Sequence, residues 1–199
     1  MQDEDCFQNQ THGTIPEIRQ SFKSYQPPGG LIESMEKLLS ILRADETNAI
    51  DAIVLTDAES IGKGRTRRVR GRKYAQRDCL GFYHPAGRYN TAWIQIVVDN
   101  VFAGVPRFAQ AWPLVREILL GHTLYHEVGH HLQRTHHEAG GETPAERWAK
   151  RLSRRFVEEH YRRLLLLARP IVRMYRLARR VGRGVRRLAP RFDGGARER

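Results

Sequence analysis

Three residues capable of metal binding and acid–base chemistry stand together near the middle of the chain. His126, Glu127 and His130 form a His-Glu-x-x-His run. Residues four apart share one face of a helix, so the two imidazoles could bind a single metal ion. In zinc peptidases the intervening glutamate accepts a proton from metal-bound water, which then attacks a carbonyl polarised by the zinc. The run therefore predicts a catalytic Zn²⁺ site with Glu127 as general base.

A catalytic zinc site needs a third protein ligand and one open position, and the sequence offers three candidates. Glu142 and Glu146 form a Glu-x-x-x-Glu pair, in which one could bind zinc while the other accepts the ring N–H of a ligand histidine. His136 has the spacing of the third histidine in HExxHxxGxxH proteases, although Gln133 replaces the glycine of that pattern. Glu142 is favoured, because a capping box alone would explain Glu146.

Helices must position these residues, and hydrophobic spacing predicts where they lie. Apolar residues recur at helical intervals over Leu31–Arg43 and from Leu114 to about Thr135, so the motif falls in the last turns of a helix with a buried stripe. The next helix is predicted to open with the capping box Thr143-Pro-Ala-Glu146, which has proline at the first helical position. It can extend to Arg169, where Pro170 interrupts it.

Strands are predicted in short apolar or β-branched runs bounded by turn residues, at Ile50–Leu55, Leu80–Tyr83 and Trp93–Val98. Residues 1–30 are polar, end in Pro-Pro-Gly-Gly and are interpreted as a flexible lead. Val101–Pro113 is predicted to be irregular. This order lacks the alternation of a parallel α/β sheet. We therefore predict an α+β fold with a short, mostly antiparallel sheet packed on the motif helix.

A family resemblance rests on two segments, Tyr125-HEVGHH-Leu132 and Glu142-TPAERWAKR-Leu152. They resemble the ImmA/IrrE-type metallo-endopeptidases, which show HExGH and then E-x-x-A-(D/N)-x-F-A-x-x-L on the next helix. The resemblance implies that His126, His130 and Glu142 bind zinc, that Glu127 is the base, and that Glu146 stands where the family has Asp or Asn. The resemblance covers roughly residues 80–155 and implies a gluzincin-like edge strand that pairs with the substrate peptide. Residues 31–169 are predicted to form the zincin-type domain.

Positive charge is concentrated in two segments of a chain whose formal net charge is +12. Residues 147–199 contain 18 Lys+Arg against 4 Asp+Glu, and the run 63–77, interpreted as an exposed loop or hairpin, has eight basic residues and no acid. Residues 170–199 are predicted to form a basic amphipathic helix and tail. Such segments either attract nucleic acid or anionic membrane or are simply solvated. Candidate polyanion-binding residues are Arg67, Arg68, Arg70, Arg173, Arg176, Arg179, Arg180 and Arg183.

Other features narrow the class of protein. No run approaches the roughly 18 apolar residues that a membrane helix needs, and the acidic N-terminus lacks the basic and apolar regions of a signal peptide. Cys6 and Cys79 are the only cysteines, too few for a disulfide framework or a thiolate zinc site. We therefore expect a cytoplasmic protein without a transmembrane segment.

Three functions compete. The favoured one is a zinc endopeptidase that acts on a protein or peptide substrate. The alternative is a nucleic-acid- or anionic-membrane-binding protein whose metal site is structural or vestigial. The third is a metal-dependent hydrolase of a non-peptide substrate. Turnover that depends on Glu127 would distinguish an enzyme from a binding protein, whose association would instead be salt-dependent.

Overall fold

The computed structural model describes residues 15–62, 66–69, 72–88, 90–137 and 140–163. The strands are β1 Glu17–Ser21, β2 Ile50–Thr56, β3 Thr66–Val69, β4 Arg72–Ala75, β5 Gly81–His84 and β6 Ala92–Val97. The helices are α1 Leu31–Leu39, α2 Ala44–Thr47, α3 Ala58–Ile61, α4 Val98–Val101, α5 Arg107–Gln110, α6 Pro113–Thr135 and α7 Glu142–His160, with a 3₁₀ turn at Gln76–Asp78.

The main sheet has four strands in the order β1-β2-β6-β5. β2 runs parallel to both β1 and β6, and only β5 is antiparallel to its neighbour. The α and β elements are mixed as predicted, but the prediction of a mostly antiparallel sheet is wrong. The reason is that β1 and the α1–α2 crossover add a parallel strand, and that β6 returns beside β2 after the excursion through β3, β4 and β5.

β1 also corrects the predicted lead over residues 1–30, because Glu17–Ser21 is a strand of the sheet. The strand is hard to recognise because only Ile18 is even half-buried, so no alternation of apolar and polar residues marks it. Residues 1–14 lie outside the described residues. Val101–Pro113, predicted to be irregular, contains the end of α4 and all of α5.

The core lies where α6 packs on α1, β5 and β6. Its fully buried side chains come from the central strands and from one stripe of each helix, among them Leu38, Ile53, Leu55, Ile94, Ile96, Leu120, Leu124 and Val128. Burying each such side chain stabilises the fold by about 1.5–3 kcal/mol. The Tyr125 hydroxyl, one residue before the motif, donates a hydrogen bond of 3.0 Å to the backbone oxygen of Leu38. This contact fixes the motif helix against α1.

The other predicted elements can be compared one by one. α1, α6, β2, β5 and β6 occupy the predicted segments, and β3 pairs with β4 as an antiparallel hairpin. α7 begins at Glu142, so Thr143 lies inside its first turn. Its predicted extension to Arg169 and the predicted C-terminal helix over 170–199 lie outside the described residues. No helix in the described part of the chain is long and apolar enough to cross a membrane.

Candidate metal centre

The ends of two helices bring the predicted metal ligands together. Nε2 of His126 lies 3.2 Å from Oε2 of Glu142, and Nε2 of His130 lies 3.9 Å from the same oxygen. One ligand atom from each of the three residues lies within 4.8 Å of the other two. All three side chains are half-buried. Among the described residues, no other group of His, Cys, Asp or Glu has this arrangement.

The donor set and its spacing fit zinc. Two imidazole nitrogens and one carboxylate oxygen are ligands that zinc accepts, and atoms about 2.0–2.2 Å from a tetrahedral ion lie roughly 3.4 Å apart. The distances of 3.2 Å and 3.9 Å are close to that value. The imidazole rings are nearly perpendicular, with centroids 4.9 Å apart. Three protein ligands would leave the fourth position open, as catalytic zinc sites require.

The three residues that their spacing allows as third metal ligand occupy different positions in the structure. Glu142 faces Nε2 of His126, whereas Oε2 of Glu146 lies 3.6 Å from Nδ1 of the same ring. Glu146 is therefore placed to hold the ring of His126 from the side away from Glu142. His136 lies elsewhere, at the C-terminal end of α6, with its ring centroid 5.8 Å from that of Trp148.

Gly129, inside the motif, determines how closely α7 approaches α6. A Cβ atom at this position would lie 2.7 Å from the carbonyl oxygen of Ala145 and 3.0 Å from its Cα. These are backbone atoms of the first turn of α7, so a larger residue would push the helix away. The glycine therefore has a packing role, because it lets Glu142 and Glu146 reach the two histidines.

Gln133 holds the chain just before Glu142. Its Nε2 donates to the carbonyl oxygen of Gly141 at 3.0 Å, and the N–H of Gly141 donates to its Oε1 at 3.0 Å. Gln133 is buried, so both bonds are shielded from water. In the sequence, Gln133 stands out only as the residue that replaces the glycine of the HExxHxxGxxH pattern. Its contacts with Gly141 depend on the path of the loop to α7, which the sequence does not show.

Glu127 is buried beside a cleft of about 260 Å³. The cleft is lined by the candidate base, one candidate metal ligand and residues of β5, α6, α7 and the residue before β5: Leu80, Gly81, His122, Thr123, His126, Glu127 and Glu146. A Cβ atom at Gly81 would lie 2.8 Å from Cγ2 of Thr123 and 3.1 Å from Cγ of Glu127. Glycine at the start of β5 therefore allows this strand to lie directly against the motif helix.

His122 is a cleft residue that lies outside the His-Glu-x-x-His run. It precedes His126 by four residues, as His126 precedes His130, so the three histidines share one face of α6. Its side chain is exposed and lines the cleft. The signal was the repeated spacing of four, which the HExxH pattern does not include.

His131 joins β5 to α6 on the other side of the motif helix. It is fully buried, and its Nδ1 lies 3.1 Å from the hydroxyl of Tyr83 on β5. Burial, aided by the nearby His136, lowers the pKa of His131 against the opposing effect of the Asn48 backbone. A neutral imidazole thus helps to hold β5 beside the cleft.

The structure gives less information on the predicted polyanion-binding residues. Arg67 and Arg68 belong to strand β3 of the hairpin. The remaining candidates, Arg70, Arg173, Arg176, Arg179, Arg180 and Arg183, lie outside the described residues.

Comparison with known proteins yields no match to any family model, curated protein or solved structure. The resemblance to the ImmA/IrrE-type enzymes therefore rests on the motif residues and their spacing.

Proposed function

We propose that this protein is a zinc-dependent endopeptidase of the ImmA/IrrE type, acting on a protein substrate in the cytoplasm. The observation that carries the proposal is the convergence of His126, His130 and Glu142 beside the buried Glu127, at the wall of a cleft. With zinc bound, this arrangement would combine a metal site that has an open position with a neighbouring carboxylate base, the two parts that metal-assisted hydrolysis uses.

The residues have distinct roles in this mechanism. Bound zinc would lower the pKa of a water molecule towards about 7 and polarise the substrate carbonyl. Glu127 accepts the proton of the attacking water and delivers it to the leaving amine. Oε2 of Glu146 lies 3.6 Å from Nδ1 of His126, so a small approach would let it accept the ring N–H and keep Nε2 directed towards Glu142. The burial of Glu127 keeps its carboxylate in one position beside the cleft.

A peptide suits the cleft because β5 is an edge strand. Within the described part of the chain it pairs with β6 on one side only, as the last strand of the order β1-β2-β6-β5. The unpaired backbone of an edge strand can accept an extended peptide through main-chain hydrogen bonds. Gly81 brings the start of this strand against Thr123 and Glu127, so a peptide paired with β5 would pass close to the base. This placement favours a peptide over a small non-peptide substrate.

The test is to separate metal binding from turnover. The purified protein should contain one zinc ion, and β-casein, a disordered protein, is a suitable substrate probe. Glu127→Gln should retain the zinc and lose about 10²–10⁴-fold in kcat, because it removes the base but no ligand. His126→Ala should lose both zinc and turnover. Hydrolysis that persists unchanged in Glu127→Gln would overturn the mechanism.

A matched control is available on the same helix. Glu117 is also buried on α6, but it contacts Lys37 at 2.9 Å and lies outside the cleft. Glu117→Gln should lower stability while the folded protein keeps its turnover. An equal loss of turnover in both variants would show that the effect of Glu127→Gln comes from disturbing the helix.

The net charge of +12 and the hairpin that contains Arg67 and Arg68 favour a second candidate. In this candidate the protein binds nucleic acid or an anionic membrane, and the metal site is structural. Zinc would then be bound without turnover. Association with DNA or anionic vesicles would weaken with salt and would be lost when Arg173, Arg176, Arg179, Arg180 and Arg183 are replaced.

A further inference from the structure

Four large apolar side chains are exposed along one short stretch of chain. Phe108, Trp112, Leu114 and Ile118 have exposed fractions of 71%, 63%, 39% and 53%. They lie on α5, on the residue before α6 and on the first turns of α6, and we call them the α5–α6 strip. Single exposed apolar residues are normal, but an exposed run of this kind marks a binding surface.

The part of the strip that lies on α6 continues the face of this helix on which α7 packs. Residues eleven apart complete about three turns and lie on the same side of a helix, so Ile118 shares its side with Gly129. At Gly129 this side is covered by the first turn of α7. At Ile118, three turns earlier, it is exposed. Among the described residues, this face of α6 is therefore covered at the Gly129 end and exposed at the Ile118 end.

The cleft lies between the covered and the exposed parts of this face. His122, one turn after Ile118, lines the cleft together with His126 and Glu127. Leu80, on the β5 side of the cleft, is also 45% exposed. A polypeptide that enters the cleft therefore meets the strip within one further helical turn.

We propose that the α5–α6 strip binds an apolar segment of the protein substrate. This inference rests on the proposed peptidase function and adds a substrate class to it. Ile118 and Trp112 precede His126 by eight and fourteen residues, which correspond to about 12 and 21 Å of helix. An extended chain advances about 3.3 Å per residue. The substrate should therefore carry apolar side chains about four to six residues from the cleaved bond.

Charge argues against a membrane as the occupant. Amphipathic surfaces that bind anionic membranes carry lysine and arginine beside their apolar residues. From Pro106 to His122 the only exposed Lys, Arg, Asp or Glu is Arg107, because Arg116 and Glu117 are buried. The strip thus has one exposed charge beside its apolar residues and lacks the cluster of lysines and arginines of a membrane-binding surface, which suits an apolar polypeptide segment.

The cleavage test compares a long with a short substrate. β-casein can reach the strip, whereas a hexapeptide centred on its main cleavage site cannot. Ile118→Asp should lower kcat/KM for β-casein about tenfold more than for the hexapeptide, mainly through KM, with zinc content unchanged. Ile15→Asp is the matched control, because Ile15 is 78% exposed but lies outside the strip. Equal effects on both substrates would overturn the proposal.

A crosslinking test identifies the occupant directly. A benzoylphenylalanine at position 118 in the Glu127→Gln background should crosslink to β-casein on irradiation. A crosslink to a second copy of the chain, to anionic vesicles in preference to casein, or to nothing would overturn the proposal. If zinc-loaded wild-type protein leaves β-casein intact, the peptidase function fails, and crosslinking alone then decides whether the strip binds polypeptide. Normal cleavage without a crosslink would refute substrate binding at the α5–α6 strip, but it would not contradict the proposed peptidase function.

Discussion

Two carboxylates in this molecule, those of Asp57 and Glu142, differ in their surroundings. We call Asp57 the closed carboxylate, because its oxygens are occupied by hydrogen bonds, and Glu142 the open carboxylate, because it faces possible metal ligands. Asp57 directly follows β2, is fully buried and accepts five hydrogen bonds from neighbouring residues. Its Oδ2 accepts the backbone N–H groups of Lys23, Ser24 and Tyr25 at 2.8–3.0 Å, and its Oδ1 accepts the N–H and hydroxyl of Ser60. Glu142 is half-buried, and its Oε2 lies beside imidazole nitrogens of two histidines.

The difference in surroundings distinguishes a carboxylate with a structural role from one that could bind a metal ion. Burial alone would raise the pKa of Asp57, but the hydrogen bonds from Ser60, Ser24 and Tyr25 hold that pKa well below its usual range. These hydrogen bonds already stabilise the negative charge of Asp57 and occupy both of its carboxylate oxygens, so they are not available to bind a cation. Around Glu142, three potential ligand atoms converge within 4.8 Å of one another. Convergence of electron-pair donors is what a cation needs.

The largest expected effect comes from removing the open carboxylate. Glu142→Ala should reduce zinc affinity by more than the roughly 10–100-fold that loss of a residue supporting a ligand histidine costs. Glu146→Ala should remain within that smaller range, because Glu146 faces Nδ1 of His126. Chelator competition measures both affinities. A larger loss in Glu146→Ala would exchange the roles of the two glutamates.

The next effect tests how the open site is assembled. Gly129→Ala places a methyl group against the backbone of Ala145, which should cost about 1–3 kcal/mol and displace Glu142 from the histidines. Zinc affinity should therefore fall together with stability, as chelator competition and urea unfolding will show.

Gly121→Ala is the matched control on the same helix. Its Cβ would meet the side chain of Leu38, at 2.9 Å, and no part of α7. It should lower stability with little change in zinc affinity. A parallel loss of affinity in both variants would mean that general destabilisation, and not the approach of α7, weakens the site.

The sequence predicts the site where the determining signal is local. His126, Glu127 and His130 are set by a spacing of one helical turn, and the apolar stripe of α6 is visible in the same residues. Glu142 is favoured as third ligand from the sequence, because a capping box alone would explain Glu146, and the family resemblance implies the same assignment. Its position beside the histidines depends on Gly129 and on contacts between two helices, which spacing cannot show.

The sheet direction could not be predicted for a related reason. β1 is an exposed edge strand with the sequence Glu-Ile-Arg-Gln-Ser and a single half-buried residue, so its backbone pairing, and not its side chains, places it in the sheet. Without β1, the chain shows no strand–helix–strand unit before the motif, and the parallel pairing of β1 with β2 is hidden. Main-chain hydrogen bonds leave little trace in side-chain pattern.

The closed carboxylate gives a prediction for stability at low pH. The pKa of Asp57 is lower in the folded protein than its value of about 3.9 in the unfolded chain. Its contribution is therefore complete above about pH 5 and is lost as the pH falls below about 4. Asp57→Asn should cost about 1.5–3 kcal/mol at neutral pH, and the difference from wild type should shrink in acid. Urea unfolding between pH 7 and pH 2.5 measures this.

Asp51→Asn provides the control, because Asp51 is an exposed residue of β2. It should leave the pH dependence close to that of the wild type. A constant difference between Asp57→Asn and wild type down to pH 2.5 would show that shape, and not charge, explains the role of Asp57.

The smallest expected change in zinc affinity concerns Gln133, a buried amide whose nitrogen and oxygen both contact Gly141, next to the candidate metal site. Gln133→Ala removes both bonds to Gly141 and should cost about 1–3 kcal/mol. Because Gly141 precedes Glu142, zinc affinity should fall about three- to tenfold. Gln133→Glu keeps an acceptor for the Gly141 N–H but loses the donor, and it should fall between alanine and wild type in both measurements. Reduced stability with unchanged zinc affinity in Gln133→Ala would mean that the two hydrogen bonds between Gln133 and Gly141 fix the end of α6 without positioning Glu142.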